Sequence, residues 1–411
     1  MKSAPAVRTT SHFLPPPVRS YFPDRHFFGA VMAGSMDFPL SRLASSSPTV
    51  YQHAFDRNLR PVVMRTTVLA ESFFEQLGLW LSLVPIALFE THISATMARA
   101  IMTGVELELF ECLEFEPLSG AEIAKRSGTD AHATLLLLDS LVACKYLRLK
   151  KDKYALVPSS RKWLLRSSAN SVRDKLLLQT IEWIWLTHME EFVRTGRPLD
   201  FHATMSDAER KLYHRAMRAI AGIAGREVGW RTPVPRNARR MLDLGGSHGH
   251  FAASICRRHP RLSGQVLDLA EAVELAAPLL ASEGLAGRVV HVTGDVTQIA
   301  LGSGEYDLIF MSNLAHHLNE TENRELAKRV ANALRPGGVF VIQEALRSSS
   351  PQQPSQIGTL LGLYFALQSK PGATSWTLAD MRAWQTDAGL TLRKTTHLYT
   401  APGWIQQSAY R

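Results

Sequence analysis

Cysteine is scarce. Only Cys112, Cys144 and Cys256 occur in 411 residues. They are far apart and odd in number, so they offer neither a disulfide framework nor a zinc box. Such usage fits a cytoplasmic protein. Long hydrophobic runs are missing too. The longest uncharged apolar stretch, Gln76 to Phe89, has 14 residues, whereas a bilayer needs roughly 20, and Pro85 interrupts it. Acidic residues are absent from the first 23 positions, which faintly suggests an organelle transit peptide. Pro15, Pro16 and Pro17 break any long amphipathic helix there, and no continuous apolar core of a secretory signal is present.

At 411 residues the chain is too long for one ordinary domain, and 45% hydrophobic with 20% charged residues is a globular balance. A net charge of +9 permits a nucleic-acid or acidic-membrane partner without requiring one, since arginines scattered over helix faces explain it equally. Residues 1–63, rich in Pro, Ser and Arg, hold no secondary-structure period and read as a disordered extension. Translation starting downstream, at Met32, Met36 or Met64, is the plainer explanation.

Residues 64–235 read as helical. Thr66 to Phe89 is strongly apolar, and burial of its helix against a partner subunit explains this better than contact with a membrane. Ile93, Met97, Ala100, Ile101 and Val105 keep helical spacing. Ser119-Gly-Ala-Glu122 is a capping box that opens a helix over 121–127. A helix over 130–142 and a hairpin, 146–149 with 154–157, complete a winged-helix pattern. Its third helix lacks Lys and Arg and carries Asp130 and Asp139, whereas DNA readout needs donors there. A packing module is therefore expected, with no nucleic-acid partner. A helical connector, 168–230, follows. It bears Trp183, Trp185, Phe192, Tyr213, Met217 and Trp230, and Thr232-Pro-Val-Pro-Arg236 then forms a stiff linker.

From residue 236 to 411 strands and helices alternate. Strands are expected near 240–244, 265–269, 288–293, 305–311 and 338–344, with two more at 391–399 and 405–410. Such alternation implies an α/β fold with a parallel sheet. After the first strand comes Asp243-Leu-Gly245-Gly246-Ser-His-Gly249, a strand end, a glycine turn and a helix start. Backbone N–H groups in such a turn approach small molecules closely. The dinucleotide pattern G-x-G-x-x-G is missing, because Ser247 and His250 occupy its third and sixth positions. Asp268, 19 residues after Gly249, closes the next strand, the usual place for a carboxylate that binds ribose hydroxyls. Metal binding is not expected: adjacent residues such as His316 and His317 point apart, and no Asp, Glu or Cys stands at ligand spacing around them or around His248 and His250. The first pair is assigned to turn formation or cofactor lining.

The pattern D-x-G-x-x-x-G at 243–249 resembles the first motif of class I S-adenosylmethionine (SAM) methyltransferases. Gly294-Asp295 after the third strand and Ser312-Asn-Leu-Ala-His316-His317 after the fourth resemble the small-molecule O-methyltransferases, over about 91–411. The resemblance implies a Rossmann-like SAM methyltransferase sheet preceded by a winged-helix dimerisation domain. It implies SAM as cofactor, a homodimer, and a small, aromatic or polyketide-like acceptor. The cofactor would touch Asp243, Gly245, Gly246, Gly249, Asp268, Leu269, Gly294, Asp295 and Val296. His316 falls on the family's general base and Glu344 on its supporting carboxylate. His317 stands where the family has Asp, and Thr374 to Thr377 lacks the second supporting carboxylate. His317 as base, or both histidines as helix caps, therefore stay open. So do two other functions: a SAM-binding relative that hydroxylates or decarboxylates, and a SAM-sensing winged-helix regulator.

Overall fold

The structure, a computed structural model, describes residues 66–348 and 355–411. The expected extension over 1–63 lies outside the described residues. None of the described helices is long and apolar enough to cross a membrane.

The apolar stretch after Thr66 is not one helix bent at Pro85. Helix α1, Phe73–Trp80, is opened by a Ser72/Glu75 capping box. It stops where Ser82 adopts a left-handed φ of 58°, and Pro85, which lacks an N–H, cannot extend it. The chain restarts as a short turn at Ile86–Leu88, passes through a π turn at Phe89–Ile93, and becomes α2, Ser94–Glu106. Phe73, Phe74, Trp80, Leu83 and Leu88 are exposed along it.

The winged-helix pattern forms as expected. Helix α3, Gly120–Ser127, is capped reciprocally by Ser119 and Glu122. In α4, Ala131–Ala143, the Asp130 carboxylate accepts from the Ala133 N–H at 2.8 Å. The wing is β1, Leu147–Lys150, against β2, Lys153–Leu156. Lys151 and Asp152 turn it at φ 51° and 57°, the positive pair a two-residue hairpin needs. Phe110, Ile123, Leu138, Leu141, Leu147 and Tyr154 form the core of this module.

The connector consists of α5, Arg173–Leu186, α6, Met189–Thr195, a turn at Phe201–Thr204 and the long α7, Asp207–Arg231. Trp185, Phe201 and Met205 are buried together, whereas Trp230 is exposed. Although the Thr232–Arg236 linker follows it, α7 already contributes Ala221, Ala224 and Val228 to the core beneath the sheet.

The sheet is ordered β5-β4-β3-β6-β7-β10-β8. Its parallel strands are β3, Arg240–Leu244, β4, Ser263–Asp268, β5, Val289–Thr293, β6, Tyr306–Ser312, and β7, Leu334–Ala345. Helices α8, His250–Arg258, α9, Ala270–Ser282, and α10, Glu320–Ala333, join them. After β7 come α11, Gln356–Gln368, and α12, Leu378–Asp387. The expected strand over 391–399 divides into β8, Thr391–Leu392, and β9, Thr396–His397. Both pair with the antiparallel β10, Trp404–Tyr410.

Helix α7 meets α8 across glycines. A Cβ on Gly225 would lie 2.1 Å from His250 Nε2, and one on Gly229 would lie 2.7 Å from the Ser254 carbonyl oxygen. Gly225→Ala should therefore cost about 1–3 kcal/mol through overpacking, read as a lower urea midpoint. An unchanged midpoint would mean that the interhelical contact is loose.

Candidate active site

The glycine turn is built around a buried acid. Asp243 ends β3 at 1% exposure. A Cβ on Gly246 would fall 2.5 Å from its Oδ2, so only glycine lets the turn fold over the carboxyl. Gly249, at φ 66°, opens α8, and the first-turn N–H groups of His250 and Ala252 go to His248 Nδ1 and to the Asp243 carboxyl. Burial pushes the Asp243 carboxyl up to about 8, with nearby Asp268 adding to the rise. Its Oδ1 has no hydrogen-bond partner.

Asp268 lies beside this turn. Its Oδ2 accepts from the Ser247 N–H and its Oδ1 from the Leu269 N–H, both at 2.8 Å. Burial raises its pKa while these two bonds oppose the rise. A carboxylate oxygen has two lone pairs, so each keeps one for a ligand hydroxyl. Leu269 is 45% exposed. Gly294 donates its N–H to the Asp268 carbonyl at 2.9 Å, which brings the end of β5 alongside. Asp295 Oδ1 accepts from Thr297 N and Oγ1 at 2.7 and 2.8 Å, and these bonds lower its pKa. Val296 is buried. The structure thus gathers Asp243, Gly245, Gly246, Gly249, Asp268, Leu269, Gly294, Asp295 and Val296 at the carboxyl ends of β3, β4 and β5.

His316 sits in a 3-10 turn, Ala315–His317, just after β6. It is 4% exposed. Its Nδ1 lies 2.9 Å from Glu344 Oε2, and Glu344 Oε1 accepts from the Ala315 N–H at 2.8 Å. Trp376 Nε1 and Asn323 Nδ2 both donate to the Ala315 carbonyl, at 2.8 and 3.0 Å. Where the resemblance implies a second carboxylate, an indole anchors the backbone of the turn instead. A carboxylate only accepts, so Nδ1 is the donor to Glu344, and in the neutral ring Nε2 is then the atom with a free lone pair. Phe365 of α11 stacks on the imidazole at 3.9 Å and 8°.

One expectation about the histidines needs correction. Adjacent residues were expected to point apart, yet the tight turn brings the His317 ring to 4.4 Å from that of His316. His250, assigned to turn formation or cofactor lining, donates its N–H to His248 Nδ1 within the turn at 3.1 Å and bonds through its own Nδ1 to Glu283 at 2.8 Å. Among the described residues, no cluster of three or more His, Cys, Asp or Glu could hold a metal.

Sequence reasoning passed over several of these neighbours. Glu283, Arg218, Phe365, Trp376 and Asn323 belong to no local motif. The buried aromatic cluster on the connector was visible as aromatic content, and Leu199 of the connector donates its N–H to the Leu367 carbonyl of α11 at 2.7 Å.

A parallel sheet, a glycine turn over two acids and a buried His–Glu pair at one edge define a nucleoside-cofactor enzyme of the α/β class. A family model described as an O-methyltransferase domain matches residues 187–390. The chain carries an O-methyltransferase domain of this family over those residues. A 3-hydroxy-5-methyl-1-naphthoate 3-O-methyltransferase of Streptomyces sahachiroi is 25% identical, over 75% of this chain and 88% of its own length. A tetracenomycin polyketide synthesis 8-O-methyl transferase of Streptomyces glaucescens is 27% identical, over 73% and 89%. The solved human N-acetylserotonin methyltransferase, in complex with SAM, shares the fold at a TM-score of 0.70 and 21% identity, covering 84% of this chain and 99% of that one.

The raised pKa of Asp243 has a testable sign. Its folded value exceeds its unfolded one, so its contribution is full below the unfolded pKa, near ~3.9, and is lost as pH rises toward about 8. Asp243→Asn should therefore gain Tm relative to wild type as pH increases from 4 to 8, in the ligand-free protein. A difference in Tm that does not change with pH would contradict a neutral, buried Asp243.

Proposed function

We propose that this chain transfers a methyl group from SAM to a hydroxyl of a small aromatic or polyketide-like metabolite, with His316 as general base. The observation that carries this reading is the buried His316–Glu344 pair at the sheet edge that also holds Asp268. SAM supplies an electrophilic methyl on a sulfonium, which becomes a neutral thioether when the methyl leaves. The family supports SAM as cofactor, and the site fits it. Asp268 has lone pairs for ribose hydroxyls, the family resemblance assigns residues 294–296 to adenine, and Gly246 allows close approach.

A phenol resembles tyrosine, with a pKa near ~10, and is a poor nucleophile until its proton is removed. His316 Nε2 takes that proton as the oxygen attacks the methyl. Glu344 holds the ring orientation and stabilises the imidazolium that forms. Phe365, stacked on the imidazole, gives a planar acceptor an apolar neighbour, and positioning in line with the sulfonium supplies much of the remaining acceleration. In the same reading residues 64–235 form the dimerisation domain and 236–411 the methyltransferase domain.

His316→Ala should lower kcat about 100- to 10,000-fold with little change in SAM affinity, and the loss should shrink at high pH, where the phenol ionises unaided. Glu344→Gln should fall between it and wild type. Near-normal turnover by His316→Ala and by His317→Ala would show that positioning alone does the work. Asp268→Ala should weaken S-adenosylhomocysteine about tenfold by calorimetry. Unchanged affinity in a folded variant removes Asp268 from the site.

The reading extends to assembly. Phe73, Phe74, Trp80 and Leu83 are each more than 70% exposed, and an apolar face of that kind marks an interaction surface. A second copy of this chain is the occupant expected from the family resemblance. Light scattering should report a dimer, and a stable monomer at micromolar concentration would contradict it.

A further inference from the structure

The glycine turn contains two histidines that the methyl-transfer chemistry does not use. His248 is buried, and its Nδ1 accepts from the His250 N–H at 3.1 Å. Desolvation, with the positive fields around it, holds its pKa near about 3, so it stays neutral and can accept that bond. His250 is the first residue of α8, and its ring turns away toward α9. There Nδ1 meets Glu283 Oε1 at 2.8 Å. The same oxygen accepts from Arg218 Nε of α7 at 2.7 Å, and Oε2 accepts from Arg257 of α8 at 2.5 Å. Glu283 is 3% exposed in its side chain. Burial alone would raise its pKa, but bonds from His250 and Arg257 and the Arg218 charge hold it near about 2, so it remains a carboxylate.

Helix α7 touches the turn again one helical turn earlier, where His214 Nδ1 lies 2.8 Å from Ser247 Oγ. Residues four apart share a helix face, so His214 and Arg218 address the cofactor turn together. Gly225, further along α7, lets that helix close onto the other side of the His250 ring.

We propose that His250 is a positioning residue for the cofactor turn. Held between Glu283–Arg218 and Gly225, it fixes the first turn of α8 and thereby, through its N–H bond to His248, the backbone of the glycine turn that leads into the helix. This rests on the SAM reading of the turn. A charged hydrogen bond of this kind, once removed, leaves a buried carboxylate short of a donor.

The test compares His250→Ala, which loses the donor, with His250→Asn, whose amide nitrogen can replace Nδ1. The clamp predicts that His250→Ala raises both KM for SAM and Kd for S-adenosylhomocysteine about tenfold. Turnover at saturating SAM should change less than twofold, and His250→Asn should recover most of the affinity. If His250→Ala fails to fold, Arg218→Gln, which removes one donor to Glu283, should show the same split to a smaller extent. If folded His250→Ala binds S-adenosylhomocysteine as tightly as wild type, or if Asn is no better than Ala, the clamp is wrong while the SAM reading stands. Wild-type protein that binds no S-adenosylhomocysteine overturns both.

Discussion

The hydrogen-bonded register of the parallel strands is the constraint on which the site depends. Leu244 pairs with Leu267 on one side and Met311 on the other, Ser312 pairs with Gln343, and Ile405 of the antiparallel strand pairs with Glu344. That register brings Asp243, Asp268, the turn bearing His316, and Glu344 to one edge of the sheet. Side chains alternate faces along a strand, so a slip of one residue would send Asp243 or Glu344 to the opposite face. The edge where strands β3 and β6 diverge to opposite neighbours is also where open α/β sheets receive ligands.

Acids brought to such an edge must be compensated, and each is treated differently. Glu344 receives one side-chain and one backbone donor, and Glu283 receives two arginines and a histidine. Asp268 has two backbone donors and keeps acceptor capacity. Asp243 has an unpartnered oxygen and a pKa raised to about 8, so it is comfortable only when protonated. A buried polar atom without a partner costs about 1–3 kcal/mol. That cost falls at the strand end beneath the glycine turn, where close packing matters more than stability.

Much of this was legible in the sequence because it is local. The glycine turn, its acids and the capping box at Ser119 are written in neighbouring residues, and the parallel sheet follows from the alternation of strands and helices. The strand expected over 391–399 breaks in two because its pairing with β10 shifts by one residue, from Leu392 opposite Ala409 to Thr396 opposite Gln406, an irregularity that no period announces. The break at Ser82 was also hidden, since a left-handed serine leaves no signature. Partners far apart in sequence were illegible altogether: Arg218 and Glu283 are 65 positions apart, and Ala315 and Trp376 are 61 apart. The histidine pair at 316–317 was identified, but its geometry depends on a 3-10 turn that only packing under Phe365 and Trp376 fixes.

The central claim is that the His316–Glu344 edge methylates a hydroxyl at the expense of SAM. It is tested most directly by incubating the purified chain with a panel of phenols and methyl-labelled SAM, then reading the product by mass spectrometry and NMR. The account predicts a product heavier by one labelled methyl, bonded to oxygen, with one S-adenosylhomocysteine released per methyl transferred. A product that has gained oxygen or lost carbon dioxide with no label incorporated would contradict it.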